Sequence, residues 1–98
     1  MKFLLNCGIS KEIINQIEYN NSEQILENAE WNIERVVSSI KYLKEIGINQ
    51  INNILINRFD IVMRGRKNLE EQIDRKRDIN IVAAINSDFN NLYYLDQI

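Results

Sequence analysis

Apolar residues recur every three or four positions through much of the chain, and the pattern is clearest between positions 32 and 63. This spacing is typical of an α-helix that packs one side against a core. Gly47 lies within the stretch, and glycine readily adopts the left-handed conformation in which many helices end. The pattern therefore predicts a helix over residues 32–46 that Gly47 ends. Its apolar side carries Ile33, Val36, Val37, Ile40, Leu43 and Ile46.

The chain before this helix predicts three shorter helical segments and one bend. Serine and asparagine are preferred at helix starts, because their side-chain oxygens accept hydrogen bonds from free backbone N–H groups. The expected segments are residues 1–7 ended by Gly8, a helix through Tyr19 capped by Ser10, a short helix carrying Ile25 and Leu26 capped by Asn21 or Ser22, and a bend at residues 28–31.

The chain after Gly47 predicts further helices that begin at polar residues. Aspartate and asparagine cap helix starts as serine does, and cations are favoured in the last turn by the helix dipole. The expected segments are an apolar-striped helix over residues 48–56 ended by residues 57–59, a short piece from its cap Asp60 to Met63, a polar helix capped by Asn68 and closed by residues 75–77, a helix over residues 79–86 capped by Asp78, and a last segment over residues 88–98.

The low counts of glycine and proline decide the fold class. The chain has 98 residues, with three glycines and no proline. An all-β domain of this length needs many tight turns, which depend on those two residue types. A composition that is 45% hydrophobic and 27% charged is typical of a globular protein. We therefore expect one all-α domain over residues 1–98, built as a short helical-repeat array or as a compact helical bundle.

The aliphatic residues of these helices supply the predicted core. Burying one isoleucine or leucine stabilises the fold by roughly 1.5–3 kcal/mol, which offsets part of the chain entropy lost on folding. Cys7 is the single cysteine and cannot form a disulfide within the chain, so we expect it to be a small buried hydrophobe. The clearest core positions are Ile33, Val37, Ile40, Leu43, Ile54 and Leu55.

The chain also contains a weak internal repeat. A shift of 36 residues places Ile25-Leu26 over Ile61-Val62. A shift of 39 residues places Gly8 over Gly47. Periods of this size are typical of proteins that stack helical units, because one unit cannot bury its apolar side alone. We predict about three degenerate copies, each with two helices and a short third one.

Residues 25–62 resemble the repeat of the mitochondrial transcription termination factor family, called mTERF. That repeat has a leucine-rich helix ending in Leu-Gly, a second helix, and a short helix with the pattern Pro-x-Leu-Leu. Asp60 and Gln24 stand where the family has proline. The resemblance implies a stack of three-helix units with a concave face, and a role in binding nucleic acid. The matching residues are Leu43, Ile46-Gly47-Ile48, Ile54-Leu55 and Ile61-Val62, with Gly8-Ile9, Ile14, Ile17 and Ile25-Leu26 in the preceding copy.

The residue types that most enzymes use are scarce. Histidine is absent, so a Ser–His or Cys–His pair cannot form and the commonest metal ligand is missing. The three glycines are far apart, which excludes a glycine-rich phosphate loop. Adjacent carboxylates such as Glu70 and Glu71 are expected on a solvated helix face. We therefore expect a protein without catalytic activity, cofactor or metal.

Charge is unevenly distributed along a chain whose net charge is −2. Residues 58–77 hold seven cations against four acids, a net charge of +3. Five of these cations are arginines, which suit bidentate contacts to phosphate. The alternative is a solvated helix with internal ion pairs, such as Glu71 with Arg75, and the acidic chain as a whole favours it. The candidate nucleic-acid-binding residues are Arg58, Arg64, Arg66, Lys67, Arg75, Lys76 and Arg77.

Two functions therefore remain open. The first is a small nucleic-acid-binding module that uses these cations and whose affinity falls steeply with added salt. The second is a protein-interaction adaptor, or a self-associating scaffold, without a role in nucleic-acid binding. Its candidate contacts are aromatic, because Trp and Tyr are enriched at binding hot spots. The alternative for each is a core or half-buried surface position. The candidate contacts are Trp31, Tyr42, Tyr93 and Tyr94, with Tyr19 as a further one.

The expected location is the cytoplasm. Residues 1–5 are too short an apolar run for a signal peptide. A charge-free span of about 20 residues, which a membrane-crossing helix needs, is absent from the sequence. The single cysteine does not indicate the disulfides of a secreted protein. We therefore expect no membrane partner.

Overall fold

The structure is a computed structural model that describes residues 1–76 and 80–96. These residues form seven α-helices and two 3-10 helices, and no strand occurs among them. The predicted all-α fold is therefore confirmed. Predictions for Arg77, Asp78, Ile79 and the last two positions lie outside the described residues. The helices are a first 3-10 helix (Lys2–Cys7), α1 (Lys11–Asn20), α2 (Glu23–Trp31), α3 (Ile33–Glu45), α4 (Ile51–Asn57), α5 (Phe59–Val62), α6 (Arg66–Asp74), α7 (Ile81–Ser87) and a second 3-10 helix (Phe89–Asp96).

Serine caps begin α1 and α2, as predicted. The hydroxyl of Ser10 accepts a hydrogen bond from the backbone N–H of Ile13 at 3.2 Å. The hydroxyl of Ser22 accepts one from the N–H of Ile25 at 3.3 Å. Each bond satisfies a backbone donor that the first turn of a helix leaves free. The second cap lets the chain begin a new helix directly after the break at residues 21–22.

Glycine ends the first 3-10 helix and α3, which confirms both predicted stops. The φ angle is +80° at Gly8 and +94° at Gly47, where a Cβ atom would meet steric resistance. The N–H of Gly47 donates to the carbonyl oxygen of Lys44 at 3.1 Å. The next N–H, of Ile48, donates to Leu43 at 3.0 Å. The two bonds satisfy carbonyl groups that the end of α3 leaves free.

Helix α2 is longer than predicted, and the expected bend at residues 28–31 is wrong. The helix continues through Trp31. This segment contains neither glycine nor proline, and Ala29 is fully buried against the core. The side-chain amide of Asn32 donates to the carbonyl oxygen of Asn28 at 2.8 Å, which satisfies one of the last acceptors of the helix. Burial of Ala29 therefore keeps the segment helical up to its junction with α3.

Two further predicted caps are wrong. Asp60 is the second residue of α5, because its carboxylate bonds to Arg58 and Arg64 instead of to the backbone. Asn68 lies inside α6, which begins after Gly65 at a φ angle of +86°. The Asn68 amide donates to the carbonyl oxygen of Arg64 at 2.9 Å. At both positions the side chain therefore bonds to another group and does not cap a helix.

The C-terminal segments follow the predicted order with shifted bounds. Helix α7 is capped by Asn80, whose side-chain oxygen accepts the N–H of Ala83 at 3.1 Å. The last predicted segment is the second 3-10 helix, and its Leu92 and Leu95 are buried. The packing of these leucines holds the end of the described chain against the core.

The predicted core is confirmed for four residues and wrong for one. Ile33 is 37% exposed, because it opens α3 at the junction with α2, beyond the packed part of the interface. Val37 is half-buried. Cys7 is half-buried rather than buried, and its thiol donates to the carbonyl oxygen of Phe3 at 3.9 Å. The confirmed residues, each at most 1% exposed, are Ile40, Leu43, Ile54 and Leu55.

The described helices follow one another in three groups of three, over residues 2–31, 33–62 and 66–96. Neighbouring groups pack through corresponding helices: the first 3-10 helix against α3, α3 against α6, and α1 against α4. Side-chain hydrogen bonds also cross between groups, as from Asn86 to Gly47, which is 39 positions away. The sequence predicts shifts of 36 and 39 residues between copies, and this separation equals the longer one.

One buried hydroxyl joins the second group to the third. Ser39 in α3 is fully buried. Its Oγ donates to the carbonyl oxygen of Arg35 and accepts the N–H of Gly65, both at 3.0 Å. The second bond fixes the start of α6, where the predicted cation cluster continues. Among the described residues, no helix has both the length and the apolar character needed to cross a membrane.

Candidate functional site

Two of the predicted nucleic-acid-binding residues, Arg58 and Arg64, share one pair of carboxylates. Arg58 donates from Nε and Nη2 to the two carboxylate oxygens of Asp60, each at 3.0 Å. Its Nη2 also donates to Asp96 at 3.0 Å. Arg64 donates to Asp96 at 2.8 Å and to Asp60 at 3.3 Å. The four charges join the start of α5 to the end of the second 3-10 helix.

These four charges stabilise one another. The hydrogen bond from Arg58 holds the pKa of Asp60 below its usual value, although partial burial opposes the shift. The hydrogen bond from Arg58 also lowers the pKa of Asp96, with a smaller contribution from Arg64. In return, hydrogen bonds to the two aspartates raise the pKa of Arg58. These carboxylates occupy Nε and Nη2 of Arg58 and offset the charge of both arginines, so a phosphate group would compete with them.

Arg66 lies in a separate group of ion pairs. Its guanidinium is 2.6 Å from Glu70 and 3.0 Å from Glu45. It also lies over the ring of Tyr42, 5.4 Å from the ring centroid, within the range of a cation–π contact. Hydrogen bonds to Glu70 and then Glu45 raise the pKa of Arg66. Arg66 therefore bridges α3 and α6 and covers Tyr42.

The remaining predicted cations lie on or after α6. Lys67 and Arg75 are exposed, and neither forms an ion pair with another described residue. The pair predicted between Glu71 and Arg75 is thus not formed in the described part of the chain. Lys76 is half-buried. Arg77 lies outside the described residues, so Lys67 and Arg75 are the cations of this set that the structure leaves open to a ligand.

The predicted aromatic contact residues differ sharply in exposure. Trp31 is 81% exposed and Tyr19 is 92% exposed. Tyr42 is only 8% exposed, and its burial raises the pKa of its hydroxyl. Tyr93 is 47% exposed and stacks on the half-buried Tyr94, with ring centroids 4.3 Å apart. Tyr42 therefore belongs to the packed interior, whereas the other aromatic residues reach the surface.

Trp31 lies beside a cleft at the junction of α2 and α3. The cleft has a volume of about 490 Å³. Helix α2 ends at Trp31 and α3 begins at Ile33, so the two apolar side chains stand on either side of Asn32. We call this region the Trp31 surface. Its lining residues are Glu30, Trp31, Asn32, Ile33, Glu34 and Arg35.

The sequence of α2 explains why Trp31 points to solvent. Leu26 and Ala29, three residues apart, pack toward the core. Glu27 precedes Trp31 by four residues, which places the two side chains next to each other on the helix surface. Glu27 is exposed, as Trp31 is. The solvent side of α2 therefore carries a tryptophan where a charged residue would be ordinary.

A second, smaller cleft borders the other edge of α2. It has a volume of about 240 Å³ and lies between α2 and α5. Its lining residues are Ile25, Asn28, Asp60 and Met63. Asn28 is three residues from Ile25 and three from Trp31, so it lies between the two apolar side chains. The exposed part of α2 thus offers apolar contacts on both edges.

The amino-acid sequence identifies Trp31 as a candidate but not its neighbours. The spacing of Ile33 predicts a core position wrongly. Spacing shows which side of a helix is apolar, but it does not show that the first turn of α3 extends past the helices that pack against it. Glu27 and Glu34 belong to a stretch, residues 12–34, that contains no lysine or arginine. That local charge imbalance is the signal that identifies them.

No metal site is evident in the described residues. Within residues 1–76 and 80–96, no three or more Cys, Asp or Glu side chains come together in a way that could hold a metal ion. Comparisons of the chain with protein-family models, with curated proteins and with solved structures gave no match. The resemblance to the mTERF family therefore stays a prediction.

Proposed function

We propose that this protein is a non-catalytic interaction module that binds a partner protein through the Trp31 surface. One observation carries the proposal: the single tryptophan of the chain is 81% exposed beside a cleft of about 490 Å³. Tryptophan is among the residue types most enriched at binding hot spots. The adjacent Ile33 is also exposed. Isolated exposed hydrophobic residues are common, but two that flank a concave surface form a binding feature.

Burial of Trp31 by a partner would supply much of the free energy of association. A tryptophan side chain buries about 150–250 Å². At about 25 cal/mol per Å², this area corresponds to about 4–6 kcal/mol. Loss of translational and rotational freedom opposes binding by about 4–15 kcal/mol, so further contacts around the indole must contribute as well. The indole is thus large enough to act as the anchor of a modest interface.

Site-specific photo-crosslinking tests the proposal in a lysate of the source cells. The photoreactive residue is placed at Asn28, next to an intact Trp31, and the control is the same residue at Tyr19. Tyr19 is 92% exposed, so general accessibility is at least equal there. We expect an adduct that forms from position 28 alone and is lost when Trp31→Ala is added. Equal adducts from both positions, or adducts that survive Trp31→Ala, would refute the proposal.

Nucleic-acid binding is the second candidate function, and the exposed Lys67 and Arg75 favour it. The mTERF resemblance implies the same role. Against it, Arg58, Arg64 and Arg66 are held by carboxylates. Fluorescence anisotropy with labelled duplex DNA and RNA at low salt tests this function. Affinity that falls steeply with added salt and is lost in Lys67→Glu/Arg75→Glu would support it over protein binding.

A cytoplasmic location forms part of the proposal. Its support is the single cysteine, which cannot form the disulfide within the chain that is common in secreted domains of this size. Fluorescence microscopy of the tagged protein in the source cells measures the location directly. Signal confined to another compartment would contradict this part alone.

A further inference from the structure

The charges around the Trp31 surface indicate which kind of partner segment fits it. Between positions 12 and 34 the chain contains six glutamates and no lysine or arginine. All six glutamate side chains are exposed. This stretch of negative charge includes α2, whose most exposed large hydrophobic side chain is Trp31. The glutamates are Glu12, Glu18, Glu23, Glu27, Glu30 and Glu34.

Most of these glutamates have no ion-pair partner within residues 1–76 and 80–96. Glu30 lies 3.1 Å from the amino group of Met1, and the other five form no ion pair with a described residue. By contrast, the arginines of residues 58–66 already neutralise acids of the second and third groups. Those acids are Glu45, Asp60, Glu70 and Asp96. The first group and the start of α3 therefore keep uncompensated carboxylates at their surface.

Two of the unpaired glutamates flank the indole. Glu27 is one helical turn before Trp31 on the same side of α2. Glu34 lines the cleft itself. A cation that stacked on the indole would thus lie near two carboxylates. Tryptophan is the aromatic side chain that attracts cations most strongly, and the planar guanidinium of arginine stacks well on it.

Arg35 is the one cation among the described residues that line this cleft. Its aliphatic part is directed to Gly65: a Cβ added at that glycine would lie 3.3 Å from Cγ of Arg35. Glu30 and Glu34 line the same cleft, and Glu30 is paired with the N-terminal amino group. Glu34 therefore offsets Arg35, and the exposed, unpaired Glu27 leaves a net negative charge beside the indole.

We infer that the Trp31 surface binds a basic segment of a partner protein. An arginine or lysine of that segment stacks on Trp31 and pairs with Glu27 or Glu34, while an apolar residue contacts Ile33. This inference rests on the proposed function above. Nucleic acids and anionic membranes carry the wrong charge for this surface. A second copy of the chain fits less well: its Arg58, Arg64 and Arg66 are already paired. Its exposed Lys67 and Arg75 have no large exposed hydrophobic residue beside them on α6 that could contact Ile33.

Selection from a random peptide library displayed on phage tests the inference and does not require an identified partner. Wild-type protein is the bait, and Trp31→Ala removes peptides that bind elsewhere. We expect the surviving peptides to be rich in arginine or lysine and to contain an aliphatic or aromatic residue. Glu27→Gln/Glu34→Gln should weaken their binding about fivefold, as the loss of one exposed ion pair predicts.

A matched variant separates local pairing from overall charge. Glu12→Gln/Glu18→Gln also removes two negative charges, but from α1. It should weaken the binding of the selected peptides by less than about twofold. Equal weakening by both double variants, or selected peptides that are neutral or acidic, would overturn the inference. In the latter case a crosslink at position 28 that depends on Trp31 would still uphold the proposed function. If that crosslink also fails, both are wrong.

Discussion

The side-chain amide of Asn86 donates a 2.8 Å hydrogen bond to the carbonyl oxygen of Gly47. Its Oδ1 accepts the backbone N–H of Asn49, also at 2.8 Å. One asparagine thus holds the turn between α3 and α4 from the third group of helices. Between the first two groups, Lys44 donates in a comparable way to the carbonyl oxygen of Cys7. Polar side chains at the turns therefore hold neighbouring groups in register.

Replacing Asn86 with alanine removes both bonds. We expect Asn86→Ala to lower the free energy of unfolding by about 1–2 kcal/mol, because two backbone groups of a turn lose their partner. Urea denaturation followed by circular dichroism measures the change. Asn90→Ala is the control, since Asn90 is exposed and its side chain does not bridge two groups. Equal effects from the two variants would show that Asn86 is not a link between groups.

The stop at Gly47 gives a prediction about backbone strain. Its φ angle is +94°, and a Cβ atom there would have an ordinary contact with Val82 at 3.7 Å. Gly47→Ala should therefore cost about 1–2 kcal/mol through the backbone conformation alone. Asparagine tolerates this conformation better, so Gly47→Asn should cost less. Thermal or urea unfolding of both variants measures which substitution costs more. If a clash between the new side chain and Val82 caused the loss, the larger asparagine would cost more than alanine.

The ion pairs of Asp96 give a prediction about pH. Because Arg58 lowers the pKa of Asp96 in the folded state, its ionised form stabilises the fold above the unfolded pKa of about 3.9. This contribution is lost as the pH falls through the lower folded pKa. We expect about 1 kcal/mol or less, since the pair is partly exposed. Urea denaturation from about pH 7 to about pH 2 should show a shallower acid loss for Asp96→Asn than for wild type.

A carboxylate without an ion pair provides the comparison. Glu71 forms no ion pair with a described residue. Glu71→Gln removes a carboxylate without breaking an ion pair, and its urea denaturation over the same pH range is the comparison for Asp96→Asn. If Asp96→Asn loses stability toward low pH as steeply as wild-type protein, the four charges around Arg58 do not act as a stabilising group.

Local features of the fold could be predicted from the sequence because their causes are local. The caps at Ser10 and Ser22 and the stops at Gly8 and Gly47 each depend on bonds within a few residues. Asp60 is a position where local reasoning fails. Its neighbours in α5 predict a helix cap, but in the folded chain its carboxylate binds Arg58 and Arg64 instead.

The candidate site was predictable only in part. Trp31 and Tyr42 both occupy helices with clear apolar stripes, yet one is 81% exposed and the other 8% exposed. The difference arises from α6, which places Arg66 over Tyr42. No helix of the described chain covers Trp31 in this way. Packing between distant segments leaves no pattern in the residues next to Trp31 or Tyr42. The charge imbalance of residues 12–34, by contrast, is visible in the sequence itself.

Substitution of Trp31 and of Tyr42 should distinguish a residue that serves binding from one that stabilises the fold. Trp31→Ala should change the free energy of unfolding by less than about 0.5 kcal/mol, as surface substitutions do. Tyr42→Ala should cost about 3 kcal/mol, because it leaves a cavity under Arg66. Urea denaturation of both variants measures the contrast. A large loss of stability in Trp31→Ala would mean that the indole serves the fold rather than a partner.

The negative field at Trp31 can be measured in the protein without a partner. Because the chain has a single tryptophan, its fluorescence reports on this indole alone. We expect caesium ions to quench it more efficiently than iodide, relative to free N-acetyltryptophanamide, since Glu27 and Glu34 attract cations. In Glu27→Gln/Glu34→Gln the two efficiencies should approach those of the free compound, while Glu12→Gln/Glu18→Gln should change them less. Added salt should reduce the difference in the wild-type protein, because exposed charges are screened. More efficient quenching by iodide would show that Arg35 dominates the field, and a basic partner segment would then have no electrostatic reason to bind there.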